Sequence, residues 1–167
     1  MRRVVLVPLA VAALAACQAE VTPEEKAMFD EEAVAMVEQA NDSEPPLLPV
    51  TPEPILTPDI EQHDMYGASC SYAPGTSLGA RVIARQADAF MKVEGEIIRF
   101  AADPGARELP FATRSLYNGR VYSLRLEVEG EGAQSGDEVR DYEGTISLRD
   151  RWGRVVYTGT GLVQCGA

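Results

Sequence analysis

The chain has 167 residues and a formal net charge of -11, which is enough length for one domain with a modest core and too little for two. Residues 18–64 carry thirteen acids against the single base Lys26, whereas residues 65–167 carry thirteen acids against twelve bases. The acidity therefore belongs to an N-terminal tether, which offers nucleic acid no counter-charge and argues against it as a partner.

Met1-Arg2-Arg3, the apolar run Val4 to Leu14 and two small residues form the three parts of a secretory leader, which is excluded from fold reasoning. The run is well short of the roughly 20 residues needed to span a bilayer. Leu14-Ala15-Ala16-Cys17 resembles the lipobox of bacterial lipoproteins. That resemblance covers only the leader, residues 1–16 plus Cys17. It implies cleavage before Cys17, a diacylglycerol on its thiol and acylation of the new amine, and several acyl chains anchor stably where one does not. Gln18, in place of an aspartate, implies sorting to the outer membrane, with the domain facing the periplasm. The expected location is thus the cell envelope, held to the membrane by lipid.

Residues 17–43 read as the lipidated cysteine and an acidic amphipathic helix. Thr22-Pro23-Glu24-Glu25 places an acceptor at the N-cap, proline in the first turn and glutamate three residues on, a capping box. The helix is expected to run to about Asn41. Phe29, Ala33, Met36, Val37 and Ala40 form one narrow apolar stripe, suited to docking on the protein's own domain or to a partner helix. Residues 44–64 read as an acidic, proline-rich linker. Pro45, Pro46, Pro49, Pro52, Pro54 and Pro58 argue against helix and for a stiff, extended spacer roughly 45 Å long. Leu47-Leu48 and Ile55-Leu56 interrupt it and could lie on a groove.

Residues 65–167 hold nearly all the aromatic side chains and read as consecutive strands: Leu78 to Arg85, Ala89 to Glu94, Glu96 to Ala101, Leu116-Tyr117, Tyr122 onward, Tyr142 to Arg149 and Val155 to Gln164. Asn118-Gly119 is the pair best suited to a type I′ turn. Tyr122, Leu124, Leu126 and Val128 alternate with polar residues, and so do Tyr142, Ile146 and Leu148, giving each strand a core face. A small antiparallel β-barrel or sandwich of about six to eight strands, preceded by one helix and the proline-rich linker, is expected.

Cys70 and Cys165, the thiols left once Cys17 is lipidated, are expected to pair in an oxidising compartment. They lack the spacing and histidine neighbours of a redox or metal site. His63 is the lone histidine, beside Asp64, and no serine or cysteine has a recognisable base around it. Glu127, Glu129 and Glu131 with Asp137, Glu138, Asp141 and Glu143 are clustered carboxylates without calcium-loop spacing, so neither metal nor cofactor is expected. Trp152, flanked by Arg149, Arg151 and Arg154 on a hairpin turn, is a candidate partner contact, or else an indole folded back under an arginine. Phe111 is a second candidate contact.

These features favour a non-enzymatic lipoprotein whose β domain binds an envelope protein or glycan. The runner-up is an inhibitor of an exogenous hydrolase, because small stapled β domains on lipid anchors resemble the membrane-bound lysozyme inhibitors. Their Ser-Gly-x-x-Tyr loop has only a loose echo here, in Thr76 to Arg81. An enzyme stands third.

Overall fold

In a computed structural model, residues 22–77 and 79–167 are described, and the leader with Cys17 lies outside them. The chain divides into two units, residues 1–44 and 45–167. The first contains α1 (Pro23–Asp42). Its capping box forms as expected: Glu25 N–H donates to Thr22 Oγ1 at 3.2 Å and Thr22 N–H to Glu25 Oε2 at 3.0 Å. The Thr22 N–H, and after it the Thr22 hydroxyl, which donates to Oε2 at 3.0 Å, hold the Glu25 carboxyl below its ordinary range. No residue of α1 is buried. Among the described residues no helix is long and apolar enough to cross a membrane.

The second unit is a closed antiparallel barrel of eight strands in sequential order: β1 (Ser69–Pro74), β2 (Val82–Arg85), β3 (Asp88–Val93), β4 (Glu96–Ala102), β5 (Leu116–Asn118), β6 (Tyr122–Gln134), β7 (Arg140–Asp150) and β8 (Val155–Gly166). Each strand pairs with the next, and β1 closes on β8 from Ser69↔Gly166 to Pro74↔Gly161. Inward positions alternate with outward ones. Tyr72, Tyr117, Phe100, Met91, Leu124, Leu126, Ile146, Leu148, Val82 and Val163 are fully buried, so side chains fill the interior. The outer positions of β6 and β7 carry Arg125, Glu127, Asp141, Glu143 and Arg149. Apolar inside and charged outside is the reverse of what a lipid-spanning barrel requires.

The expected Asn118-Gly119 turn forms two residues later. Asn118 is the last residue of β5 and pairs with Ser123, while Gly119 N–H bonds to Tyr122 O at 2.8 Å and the loop is Arg120-Val121. This register pairs Tyr117 with Leu124, both fully buried, and so puts the core face inside. Gly119 is required for closeness rather than for positive φ: a Cβ there would lie 3.0 Å from the Phe100 ring and 2.9 Å from Tyr122 O.

The proline-rich segment does not stand free. It crosses the mouth of the barrel at the β1–β2, β3–β4 and β7–β8 turn end as a strap. Arg154 donates to Pro45 O at 2.8 Å, Val50 N–H to Val156 O at 3.0 Å, Glu53 N–H to Lys92 O at 2.8 Å and Ile55 N–H to Ala80 O at 2.8 Å. Val50 is 9% exposed and joins the barrel core. Proline does not prevent this, because the donors Val50, Glu53 and Ile55 each directly follow a proline that need not donate. α2 (Thr57–Gln62) follows, with Pro58 in its first turn where no N–H is needed. Ile55 and Met65 then cover Ile83 and Phe90 on the outer face of β2 and β3 as a second small core, and Asp59 pairs with Lys92 at 2.9 Å. The expected spacer of residues 44–64 is thus, from Pro45 on, part of the folded unit. Leu47, Leu48 and Leu56 remain exposed.

The opposite end is covered by the β4–β5 loop, which brings Leu109 into the core and carries the 3₁₀ turn Pro110–Ala112. Cys70 and Cys165 form the expected disulfide, directly opposite each other on β1 and β8. The staple sits on the seam where the first and last strands meet.

Candidate functional site

The turn that carries Trp152 is built around one carboxylate. Asp150 Oδ1 accepts from the N–H groups of Trp152 and Arg154, each at 2.9 Å, and Oδ2 accepts from Arg154 Nε at 2.7 Å. Gly153 completes the turn in the left-handed region at φ 79°. Burial works against the charged form of Asp150, but its hydrogen bonds with Arg154 and the turn N–H groups win and hold it below the ordinary carboxylate range. Two guanidiniums lie against the Trp152 ring, Arg151 at 4.7 Å and Arg154 at 5.1 Å from its centroid. The arginine stacking of the second expectation is present, and the ring, 36% exposed, also keeps the surface that the first one asks for. Arg154 binds Asp150 and the strap; Arg151 presents its charge outward.

Next to this turn, residues 118–123 of the β5–β6 connection, with Asp150 and Arg151, line a hollow of about 240 Å³. A second hollow of about 360 Å³ shares Asn118, Gly119 and Arg120 with the first and extends to Asp88, Arg99 and Phe100. Arg99, Arg120 and Arg151 thus stand along one continuous strip. Among the described residues no carboxylate pairs with Arg120, Arg149 or Arg151. The two carboxylates in the strip are committed. Asp150 is held by Arg154. Asp88, 2% exposed, is bound by Arg85 at 2.8 Å and Arg99 at 2.7 Å, with the Phe90 ring beneath both guanidiniums. Burial opposes ionisation of Asp88, yet the two arginines outweigh it and keep its carboxyl below the ordinary range. Two cations on one anion leave a positive charge, and the Arg99 side chain is 69% exposed. The strip can bind anionic groups.

The candidate contacts do not form one surface. Trp152, Arg151 and Arg154 lie at the strap end, whereas Phe111 lies at the other end, half-buried against the core with φ 56°. Thr113, fully buried beside it, donates to Pro110 O at 2.8 Å and lies 3.5 Å from Cys70 Sγ. Phe111 is thus part of the cover over the disulfide end. His63 is exposed at the C-terminus of α2. The acidic residues Glu129, Asp141 and Glu143 line a broad outer concavity of about 550 Å³ on β6 to β8. Among the described residues no group of three His, Cys, Asp or Glu side chains is placed to hold a metal.

Arg99, Arg120 and Asp88 were not singled out in the sequence. The available signal was the Glu94-Gly95 hairpin turn, which sets Asp88 opposite Ala101 and hence diagonal to Arg99. Compared with known proteins, the chain matches no protein-family model, no curated protein and no solved structure.

Proposed function

We propose that this is a lipid-anchored envelope lipoprotein that acts by binding rather than by catalysis, and that it binds through the outside of its barrel along the arginine strip. The observation that carries this reading is the filled interior with both mouths covered, by the strap at one end and by the Leu109 loop at the other. Ligand contact then falls to the outer surface, where Arg120 and Arg151 have no carboxylate partner among the described residues and Arg99 shares the single Asp88 carboxylate with Arg85. The partner class is an envelope protein or glycan with anionic groups. The anchor rests on the Leu14-Ala15-Ala16-Cys17 pattern and on the sense of a pairable Cys70 and Cys165 in an oxidising compartment.

Labelled palmitate should enter the wild type and not Cys17→Ala; equal labelling of both removes the anchor. Crosslinking in the native envelope should capture the same component with the wild type and with Glu143→Gln, and lose it with Arg120→Glu/Arg151→Glu. Capture unaffected by that double variant would remove the strip from the binding face. A second reading, inhibition of an exogenous basic hydrolase such as lysozyme, is favoured by the acidic concavity of Glu129, Asp141 and Glu143. It requires that the purified protein slow lysozyme and that Asp141→Asn/Glu143→Gln relieve the inhibition.

A further inference from the structure

The barrel wall is incomplete beside the arginine strip. β4 pairs with β3 along nearly its whole length, from Asp88↔Ala101 to Val93↔Glu96, but with β5 only at Ala101↔Asn118 and Ala102↔Tyr117. The reason is the short β5, which turns back at Arg120-Val121. In an antiparallel ladder, alternate residues direct their backbone groups to opposite sides. Ala102 N–H bonds toward β3, to Ala87 O, and Asp103 N–H bonds toward β5, to Leu116 O. By the same alternation Ile98 and Phe100 face β3, whereas Ile97 and Arg99 face the gap. Among the described residues nothing hydrogen-bonds to the gap-side N–H and C=O of those two.

We propose that this open edge of β4 takes an extended, acidic segment of a partner protein as an added strand. The segment's backbone pairs with Ile97 and Arg99, and its carboxylates meet Arg99, Arg120 and Arg151. The proposal deepens the function given above and rests on its reading of the arginine strip as the binding face.

Three observations favour this occupant. The edge offers two donors and two acceptors in alternation, which is the complement of another strand. A phosphate group brings acceptors only and would leave both carbonyls without donors. The flanking charge is positive with its nearby carboxylates already committed, so the incoming side chains are acidic. A second copy is disfavoured by the same charge, since β4 against β4 would set Arg99 beside its counterpart.

Amide exchange of the full chain, followed by NMR, tests this at two levels. In the dilute free protein Ile97 and Arg99 should exchange roughly a hundredfold faster than Ile98 and Phe100, which are locked to β3. A synthetic alternating glutamate-valine peptide should then protect Ile97 and Arg99, while the same peptide N-methylated at alternate residues should not. Arg120→Glu should weaken the peptide by about tenfold or more without moving the thermal midpoint.

Equal protection of all four amides in the free protein would overturn the open edge. Protection that grows with protein concentration alone would assign the edge to a second copy. No protection at millimolar peptide, or equal competition by the N-methylated peptide or by polyphosphate, would overturn strand addition. If envelope capture depends on Arg120 and Arg151 while Ile97 and Arg99 prove protected, the binding face stands and the added strand falls.

Discussion

Replacing Cys70 and Cys165 together by alanine should cost this barrel a large share of its stability. The two half-cystines are 95 residues apart in sequence, and closing a loop of that size removes about 4.7 kcal/mol of entropy from the unfolded chain on the chain-entropy model. Folded domains are stable by only about 5–15 kcal/mol, so the loss is of the same order as the whole. The alanines also vacate two fully buried positions, adding about 1 kcal/mol each if the neighbours do not relax. Guanidinium unfolding should therefore show a much lower midpoint, with a larger slope because the uncross-linked chain expands further when unfolded. Reduced wild type serves as the control without a cavity, and its unfolding free energy should fall within about 2 kcal/mol of the variant's. If reduction lowered the unfolding free energy by less than about 1.5 kcal/mol, the reasoning would fail. Residual structure in the unfolded chain would then already hold its two ends near each other, and the staple would add nothing.

Val50→Asp places an unpaired carboxylate where Val50 is 9% exposed at the mouth of the barrel, and should cost about 2–4 kcal/mol. Protease cleavage between Pro45 and Leu56, which the wild type should resist, would report release of the strap. Asp88→Asn should cost roughly 2–4 kcal/mol at neutral pH, since it leaves Arg85 and Arg99 without their shared anion. The Asp88 carboxyl titrates below its ordinary range in the folded barrel. Its contribution is therefore present above about pH 4 and is lost as pH falls through the folded value. Thermal midpoints measured from pH 7 to pH 2.5 should converge for wild type and variant at the acid end, and parallel curves would contradict this. Gly161→Ala should cost about 1–3 kcal/mol, because the added methyl meets Ala73 O, and Gly75 N at 2.7 Å, all backbone that cannot swing away. Chemical denaturation should place it below Gly105→Ala, whose methyl makes only an ordinary contact, 3.4 Å from Asp103 Oδ1, on backbone outside the left-handed region.

The barrel was legible in the sequence where alternation was long. Tyr122, Leu124, Leu126 and Val128 and the Tyr142, Ile146, Leu148 series set the inward faces of β6 and β7, since period-two patterning over several residues has few alternatives. β1 is not legible as a strand, because Ser-Cys-Ser-Tyr-Ala-Pro has the alternation but lacks the branched residues that usually mark it. Locally the strap reads as a spacer, because its prolines exclude helix and continuous ladder. What overrode that reading is tertiary: Val50, Glu53 and Ile55 each find one carbonyl on the barrel rim, and one bond every two or three residues needs no uninterrupted strand. The Trp152 turn was legible as a turn, and its stacking was one of two stated outcomes. The arginine strip was not, because it depends on how far apart β4 and β5 diverge, a property of barrel closure rather than of any local window.

The strap and the staple together decide how the barrel responds to tension applied at Pro45. Load entering at Pro45 meets the strap before it meets any strand. The strap is held by isolated bonds at Pro45, Val50, Glu53 and Ile55, by Val50 at the edge of the core, by the Asp59–Lys92 ion pair and by the small Ile55–Met65 cluster. Isolated bonds loaded one after another yield at lower force than a ladder sheared as a whole. Beyond the strap the path runs through Ser69 to Cys70 and then across the disulfide to Cys165, so the 94 intervening residues carry no load while the bond is intact. Pulling on the two ends of residues 45–167 should therefore release the chain from Pro45 to Cys70, about 90 Å at full extension, and then stop. Under reducing conditions a second, much longer extension should appear as the barrel itself opens. An oxidised protein that lengthened far beyond about 90 Å would show that Cys70 and Cys165 are not joined. One that did not lengthen until high force would show that the strap is a strand of the barrel in mechanical terms, and that its opening is coupled to the opening of the core.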